Sequence, residues 1–252
     1  MFASWILVAG VAVVLLTAAV VAAFALGTGR ARRSGDPSPV VRVTSIVAAV
    51  WAGLSVIGAV IALLLGLLSP SVAITMPVQE FWPEMPAGVE WDGGDAARVG
   101  GGFTSVSLLV DGLSAGVRVM WSISQAIGWL VPGAIAGLLA LACFQLLAGR
   151  AFAPVVARMA MVTGVVVALG GVTAEVLGGI AGSMASHEVF ASAGGSWQDI
   201  PGIDDPFRAW LPQPTLLIEF PFWPIAAGLG FAAVAAIFRY GSRLQKDAEW
   251  LV

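Results

Sequence analysis

Five stretches of this chain are apolar for long enough to cross a lipid bilayer, and no other feature narrows its possible folds so far. A hydrocarbon core about 30 Å thick takes about 20 mainly apolar residues of helix to span. Trp5–Leu26, Ile46–Leu68, Ile127–Leu147, Val156–Ala181 and Phe222–Phe238 meet that requirement. Inside lipid a lone segment must satisfy its own backbone N–H and C=O groups, so apolar runs of this length are helices. Composition agrees: only 11% of the residues are charged, against about 25% in a typical soluble domain. The expected fold is an all-α polytopic membrane protein with five transmembrane helices. Pro221 and Pro224 mark the start of the last one, since proline is tolerated in a helix's first turn.

The first run is expected to remain as a helix. It lacks a basic leader, is long for a signal peptide, and its positive charges follow it. Orientation then follows from the basic residues. With the N-terminus outside, Arg30, Arg32, Arg33, Arg42, Arg150, Arg158, Arg239, Arg243 and Lys246 lie on the cytoplasmic side, nine of the 12 basic residues. Only Arg98, Arg118 and Arg208 lie outside, together with acids such as Glu80, Glu84, Asp95, Glu188 and Glu219. The expectation is N-terminus out, C-terminus in.

The chain divides accordingly into residues 1–28, a peripheral helix, residues 29–42, a cytoplasmic linker, and residues 43–252, a four-helix membrane domain. That domain carries outer loops 69–126 and 182–221 and a cytoplasmic tail, 239–252. In the first loop Val106, Leu108 and Val110 alternate with Ser105 and Ser107, the period of a half-buried strand. Val72–Val78 and Thr215–Phe220 are also β-prone. A small extracellular cap of two or three strands is expected, with the third apolar run already helical above the bilayer from near Asp111. The ten tryptophans face a single tyrosine. Trp51, Trp121, Trp129 and Trp223 stand near helix ends, where an indole anchors at the headgroups.

Between helices in lipid, association relies on close packing through small residues. The second run offers Ser55, Gly58, Ala62 and Gly66 on one face, and the third offers Gly133 and Gly137, with Pro132 expected to kink it. The fourth offers Gly164, Gly171, Gly178 and Gly182 at spacings that share a face. These three helices form the expected packed core, and GxxxG spacing leaves a homo-oligomer open.

Glu175 lies on the same face of the fourth run. A carboxyl group within a span is costly and faces the bundle or a watery cavity. One reading is a proton or cation site, or a polar latch. The plainer reading is a carboxyl satisfied by Thr173, Gln125 or a hydroxyl from another helix.

Motifs of catalysis or metal binding are missing. His187 is the only histidine, and an HExxH pair would need histidine where Ala191 stands. There is no GxSxG elbow and no Walker loop. No cofactor, no metal and no enzymatic activity are expected, and nothing points to direct nucleic-acid binding. The tail mixes charge, with Arg239, Arg243, Lys246, Asp247 and Glu249, as either a juxtamembrane anchor or a docking segment for a cytoplasmic partner.

Two cytoplasmic stretches carry a resemblance. Ala148-Gly149-Arg150-Ala151-Phe152, followed by Val156-Ala157-Arg158-Met159 and Gly164, reads as a G-x-x-F…R hinge between helices. The terminus reads Phe238-Arg239-Tyr240-Gly241, then Leu244, Asp247, Glu249 and Val252. Both are similar to the uncharacterised bacterial integral-membrane family known as domain of unknown function 2975. The resemblance covers about Val43–Val252 and implies a four-helix membrane unit, to which the first helix and the long outer loops are additions. It also implies a bacterial plasma-membrane location and, by association with neighbouring helix-turn-helix regulators, a sensing or tethering role. A small transporter or channel-like subunit using Glu175 is the alternative from a different class.

Overall fold

The computed structural model describes residues 38–249 apart from 89–94, 96–97, 151, 192–193, 197 and 199. Residues 1–37, with the first apolar run and most of its linker, and Trp250 onward lie outside the described residues; the end of the expected linker, Ser38 to Arg42, is already helical. Among the described residues four helices are long and apolar enough to cross a membrane, Pro39–Leu68, Ala115–Leu147, Pro154–Phe190 and Trp223–Leu244.

In chain order the elements are α1 (Ser38–Leu68), β1 (Ser71–Phe81), β2 (Phe103–Asp111) and α2 (Ala115–Leu147). Then come α3 (Pro154–Val165), a π-helical turn (Val166–Gly170), α4 (Gly171–Phe190), the short α5 (Pro206–Trp210) and α6 (Trp223–Glu249). They fall into two compact units. One comprises the described chain up to Gly58, Trp129–Gly171 and the chain from Phe222; the other comprises Ala59–Gly128 and Val172–Pro221.

In the first unit α1 and α2 run antiparallel through small residues. A Cβ built at Gly133 would lie 2.7 Å from that of Ser55, and one at Gly58 would lie 2.7 Å from the Trp129 indole. The Ser45 hydroxyl donates to the Ala140 carbonyl at 3.3 Å. A Cβ at Gly137 would meet nothing within 4 Å, so this half of the GxxxG pair faces no neighbour among the described residues. Pro132 sits inside α2, which continues through it.

To the contacts expected among the second, third and fourth apolar runs is added a close one between α3 and α6. A Cβ at Gly164 would lie 2.9 Å from the Gly228 carbonyl oxygen, and one at Gly171 would lie 2.6 Å from the Pro224 ring. Gly228 reciprocates, with the Ala168 Cβ at 2.7 Å. The backbones can approach this closely only where side chains are absent or small. Leu138, Val156, Ala160 and Ala235 are buried together beside them, so α2 joins the same core.

The turn from α2 to α3 is built by Gly149 at φ 73°, which lets its own N–H reach Leu146 O and the Arg150 N–H reach Gln145 O, closing the helix end. Pro154 then opens α3 in the position where its missing N–H costs nothing. Phe152 in this turn packs its ring 5.9 Å from that of Phe238 and against Gly241. The hinge and the terminal segment singled out by resemblance therefore touch.

The second unit is organised by β1. Val72, Ile74, Met76 and Val78 are buried in strict alternation, and the first three pack with Leu113, Val117, Ala181 and Ala185. The period-2 pattern thus lays one strand face on α2 and α4. β2 pairs antiparallel with β1, from Ser71 opposite Asp111 to Pro77 opposite Ser105, with an irregularity before Phe81. The strand expected from Val106, Leu108 and Val110 is present, but its expected half-burial is not: it is mostly exposed, as the outer strand of the pair. Thr215–Phe220 adds no third strand: it carries no ladder and stands next to a single bridge between Val78 and Pro214.

Helix ends in this unit are closed by side chains. Arg118 donates from Nε to Gly66 O at 3.2 Å and from a terminal nitrogen to Ser69 O, capping the C-terminus of α1 with a cation. Glu188 accepts from the Ser114 N–H at 2.9 Å at the start of α2, where a negative charge meets the helix dipole favourably. Asp205 accepts from Phe207 N and Arg208 N to start α5.

Candidate functional site

Glu175 sits one turn into α4, on the helix face that also carries Gly178 and Gly182. The local backbone makes that face a groove floor. A Cβ at Gly178 would lie 2.8 Å from Ser124 Oγ, and one at Gly182 would lie 2.6 Å from Thr75 O, so α4 is drawn against α2 and β1 there. Side-chain hydroxyls fix the distances. Ser124 Oγ donates to Ala174 O at 2.7 Å, and Ser186 Oγ donates to Pro77 O at 2.6 Å. Ser183 Oγ donates to Leu217 O at 3.2 Å and accepts from Leu217 N at 3.1 Å, strapping the segment around Leu217 onto α4. The Trp121 indole N–H donates to Ala73 O at 3.1 Å, tying α2 to β1.

Between these fixed points the packing opens. One cleft of about 350 Å³ is lined by Thr75, Trp121, Ser124, Gln125 and Glu175, with the backbone of Gly128, Gly178 and Gly179 in its walls. A second of about 240 Å³ adjoins it, with Pro77, Thr104, Ser105, Leu217 and Glu219 beside Glu175. A third shares Trp121 and Gln125. Glu175 and Gln125 are both exposed to these clefts, and neither has a hydrogen-bond partner among the described residues.

Of the two surroundings expected for it, the bundle or a cavity, Glu175 lines clefts. Neither Thr173 nor Gln125 bonds Glu175, and no hydroxyl from another helix does so. The helical spacing located its face, but hairpin and helices part at that level instead of closing over it.

The remaining residues singled out in the sequence are placed as follows. Gly58, Gly133, Gly164 and Gly171 lie at helix contacts in the first unit, while Gly178 and Gly182 wall the clefts of the second. Ala62 lines the third cleft with Gly66. Arg239 and Arg243 are exposed on α6; Lys246, Asp247 and Glu249 lie in its final turns, where side chains are outside the described residues. Trp121 donates its indole N–H to Ala73 O, and the Trp129 indole lies over Gly58.

Several contributors were not singled out in advance. Gly228 is the partner of Gly164, and its signal was the small-residue run Ala226-Ala227-Gly228 in a helix beginning with proline. Ser183 and Ser186 stand three apart on α4, the spacing of a polar edge that meets a strand. Trp121 and Thr75 carry no local signal for a cleft.

Chemically, the clefts offer two carboxyl groups, Glu175 and Glu219, an amide, hydroxyl oxygens and an indole. No Lys or Arg lines any of the three. Among the described residues no group of three His, Cys, Asp or Glu side chains is placed to hold a metal ion.

Fold and site together define a membrane-embedded helical protein that carries a small two-stranded sheet and a polar cleft beside it. No family model, curated protein or solved structure matches the chain.

Proposed function

We propose that the chain is a non-enzymatic sensing or protein-interaction component of a bacterial cytoplasmic membrane, multi-pass, with its N-terminus outside and its C-terminus in the cytoplasm. The likeness of Phe238–Val252 and of the Gly149–Phe152 hinge to domain of unknown function 2975 supports this reading. On it, the cleft at Glu175 is the receiving side and the end of α6 is the reporting side.

The observation that carries the proposal is the way α6 is held. It runs for 27 residues from Trp223 to Glu249, about 40 Å of helix against about 30 Å of hydrocarbon. Phe152 clamps it at Phe238 and Gly241, and Arg239 and Arg243 stand exposed beside that clamp. A helix fixed where it leaves the membrane presents its charged last turns in a defined direction. A cytoplasmic helix-turn-helix regulator or another membrane subunit is the partner this suits. Photo-crosslinkers placed at Arg243 and Lys246 in native membranes are expected to capture one protein reproducibly. Capture of lipid alone from both positions would overturn the reading.

A second reading, a small transporter or channel-like subunit, draws support from the open position of Glu175. It requires cation flux in liposomes that Glu175→Gln abolishes while the protein stays folded; no flux by the unaltered protein would end it.

A further inference from the structure

We infer that the cleft formed by Thr75, Trp121, Ser124, Gln125 and Glu175 binds a small organic cation through its ammonium group. The inference rests on the reading of this cleft as the receiving side of the protein and names the class of ligand it takes. At about 350 Å³ the space lies at the small end of pockets that hold small molecules, which run from roughly 300 to 1,000 Å³.

The lining selects the charge. Its one ionisable side chain is Glu175, so an anion would meet repulsion with no compensating base. A carboxylate without a partner is a ready acceptor for a charged N–H donor. Gln125, likewise unpartnered, offers its amide oxygen. Ser124 already donates its proton to Ala174 O, which leaves its oxygen as an acceptor. The indole of Trp121, held by Ala73 O, supplies the aromatic wall to which cations are attracted. Acceptors and an aromatic surface around a single carboxylate match a primary ammonium, with three N–H donors on one positive centre.

The same inventory argues against a hard metal ion. Calcium takes six to eight oxygen ligands, and the lining has a single carboxylate and no second acid within this cleft. An ammonium group can belong to a free amine or to an ethanolamine lipid headgroup, and the chemistry of recognition is shared.

The test uses the full chain purified in an uncharged maltoside detergent. Binding of n-butylammonium chloride is followed by saturation-transfer NMR, with 1-butanol and sodium butyrate as matched controls. Butylammonium is expected to bind, and butyrate and butanol are not. Glu175→Gln is expected to weaken binding by at least about tenfold, the loss typical of one charge-assisted hydrogen bond. Gln125→Ala should weaken it less, and Glu175→Asp should retain part of it; these two carry the test if Glu175→Gln does not fold. A short-chain phosphatidylethanolamine that displaces butylammonium, where phosphatidylglycerol does not, assigns the site to a headgroup; failure to displace assigns it to a free amine. Equal binding of all three small probes, or binding unchanged in the folded Glu175 and Gln125 variants, would overturn the inference. Crosslinking at the α6 tail reads a different segment of the chain, so the two ideas fail separately.

Discussion

At the scale of single residues, the glycines of this chain divide by what lies opposite them. Gly164 faces backbone: an added methyl would press on the Gly228 carbonyl at 2.9 Å and on the Phe231 Cβ at 3.2 Å. Backbone cannot swing aside as a flexible side chain can, so Gly164→Ala is expected to destabilise the protein by about 1–3 kcal/mol. Gly137 faces open space, and Gly137→Ala should be neutral, or stabilising by up to about 1 kcal/mol through helix propensity. Unfolding midpoints in mixed micelles check the pair, and equal losses would contradict it. Arg118 is a second case in which position decides the role. It was read as a stray outer cation, and it closes the end of α1 through Gly66 O and Ser69 O. Arg118→Gln should cost about 1–3 kcal/mol and speed hydrogen exchange in the last turn of α1 more than elsewhere; uniform exchange would argue against the cap.

At the scale of elements, the sequence was most legible where length alone decides. Four apolar runs became helices because nothing else satisfies a backbone in lipid, although their ends extend beyond the runs: the fourth continues from Ala181 to Phe190. β1 was legible because Val72, Ile74, Met76 and Val78 alternate and one face is buried. The π turn at Val166–Gly170 was not, because valine, alanine and glycine read equally well as ordinary helix there. Such a turn adds one residue to the helical repeat, so a stripe counted at constant spacing through Gly164 and Gly178 does not keep one partner. Gly164 meets α6 and Gly178 meets α2. The open surroundings of Glu175 were equally hidden, since they depend on where Thr75 and Ser105, far away in sequence, come to rest. The clamp between Phe152 and α6 gives the prediction at this scale. Phe152→Ala removes the ring from Phe238 and Gly241, and a spin label at Leu244 should then gain mobility markedly while one at Val234 changes little. Equal changes at both positions would show that the clamp does not hold the tail.

For the whole molecule, the helix Pro154–Phe190 has 37 residues, about 55 Å, and a hydrocarbon core of about 30 Å takes only about 20 of them. On the proposed orientation, with the bilayer beginning near Arg158, it ends close to Glu175, which would put the carboxyl group at the outer boundary instead of the mid-plane. Glu175 is then a water-facing group in a cleft, and its cost is far below that of a charge in hydrocarbon. Accessibility to a membrane-impermeant reagent measures this directly. Cys143 is the only cysteine, so Cys143→Ser provides a clean background for Glu175→Cys, with Ser107→Cys and Ser242→Cys as references. In intact cells a small impermeant thiosulfonate is expected to modify cysteine at positions 107 and 175, and at 242 only after permeabilisation. Protection at 175 while 107 reacts would contradict the account, placing Glu175 in lipid or in a sealed interior.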